Sequence, residues 1–337
     1  MEPMKIIVRA PNWVGDAVLA LPAVAAVRRG FPGSELWVAA RSGAGDIFAA
    51  AGLADRTVTL PEGNDLASIR QAARELGGRS LDAGLLLTNS FGSALLFYLA
   101  RIPERWGYAA DGRSLLLTRA VRRKRPGVPR HHVHYYLDLV AGLGIEASPP
   151  ELRLSVSPED SEAARLRLRE LGLDPSRPLV ILCPGASYGP AKRWPAERFA
   201  RTAALLRERR GAEVLVIGSA PELELAESIR SRLAGKPAVL TGQTSLRELM
   251  GLIGRATLLI SNDTGPMHLA NALGVPVVGV FGPTDPIATG PLRPPSRVVK
   301  KDVPCWPCRY RECPLDHRCM KLILPEEVAA AAESIWP

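Results

Sequence analysis

Between residues 257 and 281 the chain reads as two short buried strands, 257–260 and 275–281, joined through a single helix over 266–273. Two apolar strands linked by a helix are a βαβ unit, and such strands lie parallel in one sheet with the helix packed across it. The same alternation fills both halves of the chain. Strands are expected at 5–10, 35–40, 57–60 and 83–88, with helices over 17–29, 46–51, 65–76, 93–101 and 132–143. Pro22 should kink the first of these helices or delay its start. Beyond a Pro-containing linker at 147–150 come a short strand at 152–156 and further strands at 179–183, 213–217, 238–240, 258–260 and 277–281. Continuous apolar strands covered by helices imply an α/β fold of two doubly wound parallel sheets. The expected domains are 1–150 and 151–324, with a closing helix in 325–337. Ligands of such sheets bind at the carboxyl ends of the strands, so a cleft between two such domains is the expected site.

Length and composition agree with this. A chain of 337 residues with 47% hydrophobic residues can bury two full cores. No apolar run reaches the roughly 18 residues of a membrane span. Residue 4 leads directly into a strand without a signal-peptide pattern, so a cytoplasmic location is expected. Forty-three Lys and Arg against 34 Asp and Glu give a net charge of +9, which favours an anionic partner. The excess is concentrated in RAVRRKRPGVPRHHVH (119–134), which has no acidic residue. Arg122, Arg123, Lys124 and Arg125 are its core, read either as a solvated loop or as a patch for an anionic acceptor.

The polar turns after the strands carry the chemistry. SNDTGPMH (261–268) opens the helix of the βαβ unit, with Asp263 or Thr264 as its cap and Pro266 at its first position. Free N–H groups and the positive end of the helix dipole suit a phosphate there. Gly265 allows close approach, and His268 lies one turn further on, facing the same space. PGASYGPAKRWP (184–195) is a Gly/Pro-rich loop with hydroxyls at Ser187 and Tyr188 and a cation at Lys192, able to wrap a diphosphate. It lacks the G-x4-G-K-[ST] pattern of a Walker loop. GSAPELE (218–224) places Glu222 or Glu224 where an acid can bind ribose hydroxyls. TGQTS (241–245) could line a base pocket. In the first half, PNWVGD (11–16) sets Asp16 at the head of a helix, as an N-cap or as a general base. No D-x-D motif is placed to hold a catalytic metal, so no cofactor is expected for catalysis.

Cys305, Cys308, Cys313 and Cys319 form a C-x2-C-x4-C-x5-C cluster. In a cytosolic protein this spacing suits a structural zinc or packed free thiols more than disulfides. A nucleic-acid-binding protein using this knuckle and the basic run is the rival class. Only 5% of residues are aromatic, and the basic run carries no stacking residue before Tyr135, which counts against it.

Together WVGD (13–16), NSFGSAL (89–95), CPGA…GPAKRWP (183–195), GSA with its following acids (218–224) and NDTGPMH…ALGVP…GPTDP (262–286) resemble the ADP-heptose–lipopolysaccharide heptosyltransferases of glycosyltransferase family 9. The nearest likeness is to the branch that adds the second heptose. The motifs span nearly the whole chain in the family's order. The resemblance implies a GT-B fold, an ADP-heptose donor, a lipid A–core acceptor and contact with the inner face of the inner membrane, with no nucleic-acid partner. It also implies roles: Asp16 as catalytic base, Lys192 at the donor phosphates with Ser187 and Tyr188 nearby, and Asp263, Thr264, Gly265 and His268 in the donor turn. Glu222 and Glu224 remain alternatives for the ribose. A related GT-B enzyme using another nucleotide sugar is the alternative activity.

Overall fold

The computed structural model describes residues 3–41, 43–123 and 127–337. The chain divides into two compact units, Met1–Arg153 and Leu154–Pro337.

The first unit runs β1 (Lys5–Arg9), α1 (Val14–Gly30), β2 (Glu35–Ala40), α2 (Gly45–Ala50), β3 (Arg56–Thr59), α3 (Leu66–Gly77), β4 (Ala83–Leu86), α4 (Phe91–Leu99), β5 (Glu104–Tyr108), β6 (Arg119–Val121) and α5 (Val133–Gly142). Its described strands form one parallel sheet in the order β3-β2-β1-β4-β5-β6. The second unit runs α6 (Pro158–Glu170), β7 (Leu179–Cys183), α7 (Ala196–Arg210), β8 (Glu213–Val216), α8 (Leu223–Arg232), β9 (Ala238–Val239) and α9 (Leu246–Gly254). It continues through β10 (Leu258–Asn262), α10 (Gly265–Leu273), β11 (Val277–Phe281), α11 (Pro286–Thr289), β12 (Ser296–Lys300), α12 (Arg318–Lys321) and α13 (Pro325–Glu333). Its sheet, β12-β11-β10-β7-β8-β9, is also parallel and repeats the first unit's winding. In each sheet the strand order reverses beside the first strand of the unit, between β1 and β4 and between β7 and β10. Those two points are where an open α/β sheet leaves a crevice for ligand.

The central strands β7, β10 and β11 are buried at every residue, as helices on both faces require. Three strands had no clear signal. β6 and β12 lie at sheet edges and are partly exposed, so RAV and SRVVK lack a continuous apolar run. β5 begins with Glu104 and Arg105, which hide its buried end.

Two expectations are corrected. Segment 152–156 alternates apolar and polar residues but joins no sheet; Leu152 and Leu154 are buried, and the Leu154 N–H donates to the Ala272 carbonyl at the end of α10 (3.0 Å). Helix α1 does not start late; it begins at Val14 and continues through Pro22 to Gly30. The proline removes one helical hydrogen bond, but residues 17–24 are buried throughout and α1 packs along α5, so tertiary packing holds the turn.

Candidate active site

In the second unit the polar turns gather at the carboxyl ends of β7, β8 and β10. Asn262, the last residue of β10 and fully buried, stitches the loop after β7 in place. Its amide donates to the carbonyls of Pro184 (2.6 Å) and Gly185 (3.3 Å), and its oxygen accepts the Trp194 N–H (3.1 Å). Trp194 is fully buried against Phe199, with ring centroids 5.0 Å apart. Both limbs of the loop are therefore anchored, and Lys192 between them is drawn inside.

Lys192 is not a solvated cation. Its Nζ lies 2.6 Å from Asp263 Oδ2, and the two side chains are only 11% and 4% exposed. The Asp263 carboxylate also accepts from the hydroxyls of Thr284 (2.8 Å) and Thr289 (3.1 Å). This corrects the expected cap of α10. Thr264 is the N-cap residue, and its side chain makes no capping bond. The helix starts at Gly265 rather than Pro266, and its first turn presents an uncapped N-terminus beside the lysine. His268 is buried in that helix.

Ser187 is exposed. The Tyr188 hydroxyl donates to the Arg309 carbonyl (2.8 Å), and its ring lies 4.9 Å from Lys192 Nζ and 5.3 Å from the Arg311 guanidinium. The cysteine-bearing segment braces this loop. The Ala191 N–H donates to Arg311 O (3.0 Å), Arg311 Nε donates to Tyr188 O (2.7 Å), and His317 Nε2 lies 2.6 Å from Ala191 O.

Glu222 and Glu224 are placed very differently. Glu224 is exposed in the first turn of α8. Glu222 is buried, and its Oε2 accepts from the N–H and hydroxyl of Ser219, both at 2.8 Å. The carboxylate fills the space over Gly185, where a Cβ would stand 2.0 Å from it, and lies against Gly218 as well. Burial, with the Glu222 charge adding to it, pushes the Cys183 thiol up to about 12 and keeps it neutral. Thr241, at the end of β9, is buried and its hydroxyl has no protein partner.

The five cysteines carry free thiols. Cys305, Cys308, Cys313 and Cys319 line one small cavity together with His317. Burial, followed by the nearby Cys308, Cys313 and Cys305, pushes Cys319 up to about 11. Among the described residues, however, no three His, Cys, Asp or Glu side chains are arranged to hold a metal ion.

In the first unit Asp16 is the third residue of α1, after the N-cap residue Trp13, so it does not cap the helix. Its Oδ1 lies 3.5 Å from His132 Nε2, and the Tyr136 hydroxyl hydrogen-bonds the same carboxylate. Tyr136 is buried, and burial, with the Asp16 charge second, raises its pKa well above 10. The phenol therefore keeps its proton at ordinary pH. His132 stacks on Tyr135, with centroids 5.2 Å apart and planes 7° apart. Neither His132 nor Tyr136 stood out from the string HHVHYY. Their separation by four residues on a helical stretch, which sets both on one face, was the available signal.

The basic run is less free than its composition implies. Arg119 lies in β6, Arg130 pairs with Asp138, and Arg123 sits 5.1 Å from the Tyr135 ring. Arg122 and Arg123 are exposed. Lys124 and Arg125 lie outside the described residues.

A family model for glycosyltransferase family 9 (heptosyltransferase) matches residues 69–318, well over half of the sequence. The chain belongs to glycosyltransferase family 9. This family 9 chain is 32% identical to lipooligosaccharide heptosyltransferase 2 of Haemophilus ducreyi, over 88% of each chain. It is 30% identical to lipopolysaccharide heptosyltransferase 2 of Escherichia coli, again over 88% of each. Among solved structures, E. coli ADP-heptose LPS heptosyltransferase II matches with a TM-score of 0.85 at 27% identity, covering 98% of both chains. A family 9 glycosyltransferase from Veillonella parvula matches with a TM-score of 0.86 at 25% identity, over 99% of this chain and 98% of that one. The fold is GT-B, and the family 9 chain is a glycosyltransferase.

Proposed function

We propose that this family 9 enzyme transfers L-glycero-D-manno-heptose from ADP-heptose to the inner core of lipopolysaccharide, as the second heptose on heptosyl-Kdo2-lipid A. The observation that carries the reading is the buried Lys192–Asp263 pair beside the uncapped start of α10, at the strand-order reversal of the second unit. A buried cation next to open helical N–H groups suits a nucleotide diphosphate. Glu222, held over the glycines that end β7 and β8, takes the ribose, and Thr241 faces the base.

Asp16 serves the acceptor. Its carboxylate takes the proton of the acceptor hydroxyl as that oxygen bonds to the anomeric carbon. The bond from that carbon to the β-phosphate oxygen breaks with inversion, and ADP leaves with the electron pair. Lys192 and the N-terminus of α10 meet the charge that grows on the departing diphosphate. Tyr136 and His132 fix the Asp16 carboxylate and are positioning residues. Arg122 and Arg123, with Lys124 and Arg125 of the same run, supply positive charge for an acceptor rich in phosphate and carboxylate.

No described helix is long and apolar enough to cross a membrane. We place the enzyme at the cytoplasmic face of the inner membrane, supported by the almost fully exposed Leu115 just before the basic run. Purified protein incubated with ADP-heptose and heptose-deficient core acceptors should yield a product one heptose heavier, and only from the acceptor that already carries the first heptose. Transfer from a different nucleotide sugar, or tight binding of single-stranded nucleic acid with no ADP binding, contradicts the reading.

A further inference from the structure

The carboxyl ends of β1 to β4 enclose a cavity of about 40 Å³, room for a group of roughly three heavy atoms. It lies at the first unit's strand-order reversal, the counterpart of the donor position in the second unit. Two arginines line it. Arg9 ends β1 and is 4% exposed, while Arg41 follows β2. The Arg9 guanidinium donates to the Ala10 carbonyl and to Asn12 Oδ1 (2.6 Å), and Arg41 donates to the Gly63 carbonyl (2.5 Å). Two donors in the lining are left over: Arg41 Nε and the Thr88 hydroxyl are buried with no hydrogen-bond partner.

Burial first, and then the Arg41 charge, push Arg9 down to about 10, with Glu62 acting in the opposite direction. The buried Arg9 guanidinium and the partly buried Arg41 beside it concentrate positive charge at this lining. A protein holds such charge away from water only at considerable cost unless an anion completes the site.

We propose that this cavity binds one carboxylate of the acceptor saccharide, its two oxygens accepting from Arg41 Nε and the Thr88 hydroxyl, with Arg9 supplying the balancing charge. Two free donors, concentrated positive charge and a small volume match a carboxylate. A phosphate would bring more oxygens than the two free donors answer. The site rests on the heptosyltransferase reading and deepens it. It assigns acceptor recognition to residues at the strand ends, apart from the exposed basic run.

The test measures acceptor KM at saturating ADP-heptose for three acceptor forms: native, with its carboxylates amidated, and dephosphorylated. Wild type, Arg41→Gln and Thr88→Val are compared, and an unchanged KM for ADP-heptose certifies each variant as folded. Amidation should raise the wild-type KM about tenfold or more, the loss expected for a charge-assisted hydrogen-bonded contact. Both variants should show that raised KM with native acceptor and be indifferent to amidation, while dephosphorylation should affect all three proteins alike. Equal wild-type KM for native and amidated acceptor overturns the site. So does a phosphate dependence that disappears in the variants, which would mean the cavity holds phosphate. Absence of transfer to every acceptor form counts instead against the heptosyltransferase reading itself.

Discussion

Lys192 Nζ and Asp263 Oδ2 are 2.6 Å apart, both buried, on two turns separated by 71 residues of sequence. The lysine we propose for the donor diphosphate is thus held by a carboxylate that two threonines also hold. Lys192→Ala should lose stability as well as donor binding, because removing one member of a buried pair costs about 3–5 kcal/mol. The double variant Lys192→Ala/Asp263→Asn should recover most of the lost urea midpoint but none of the ADP affinity. A single Lys192→Ala variant with wild-type stability would show that the pair is not formed in solution.

The two candidate ribose acids separate cleanly. Glu222→Gln should raise the KM for ADP-heptose about tenfold, the loss of one charge-assisted hydrogen bond. Glu224→Gln should leave it within about twofold, as an exposed surface substitution. Gly185→Ala should mimic Glu222→Gln, since the new methyl would overlap the carboxylate. Equal effects of the two glutamine variants on donor KM would argue against the assignment to Glu222.

The contacts from the cysteine-bearing segment to the Lys192 loop link that surface region to the proposed donor site. Arg311→Ala removes the Nε bond to the Tyr188 carbonyl and the guanidinium over its ring. Donor KM should rise severalfold, by about the 0.5–1.5 kcal/mol of one ordinary hydrogen bond, with acceptor KM unchanged. An unaltered donor KM would reduce the segment to packing.

The two parallel sheets, the strand–helix alternation in both halves and the polar turns at the strand ends were legible in the sequence because fully buried parallel strands are continuous apolar runs ending in polar turns. What was not legible depends on contacts distant in sequence. The alternation at 152–156 is satisfied against α10 rather than in a sheet, and the Asp263 carboxylate turns away from its own helix toward Lys192. Asp16 looked like a cap because acids at helix starts usually are. Only the fold shows that its partners come from α5, more than a hundred residues away.

Those partners give a positioning signature. Tyr136 stays protonated because its pKa is raised well above 10, so across the assay range it donates to the Asp16 carboxylate. Tyr136→Phe should lower kcat severalfold, by about the 0.5–1.5 kcal/mol of one ordinary hydrogen bond, with donor KM constant. Stability should change by no more than about 1–2 kcal/mol. A kcat that stays at the wild-type value in the variant means Tyr136 only packs beside Asp16.

The central claim is that Asp16 takes the acceptor proton while the second unit alone holds the donor. The direct measurement is Asp16→Asn, assayed for turnover and for ADP affinity on the same preparation. Turnover should fall by roughly 10²–10⁴-fold, the usual cost of losing a general base, and the ADP dissociation constant should stay within about twofold. Turnover above about a tenth of wild type, or a loss of ADP affinity that accounts for the fall, would contradict it.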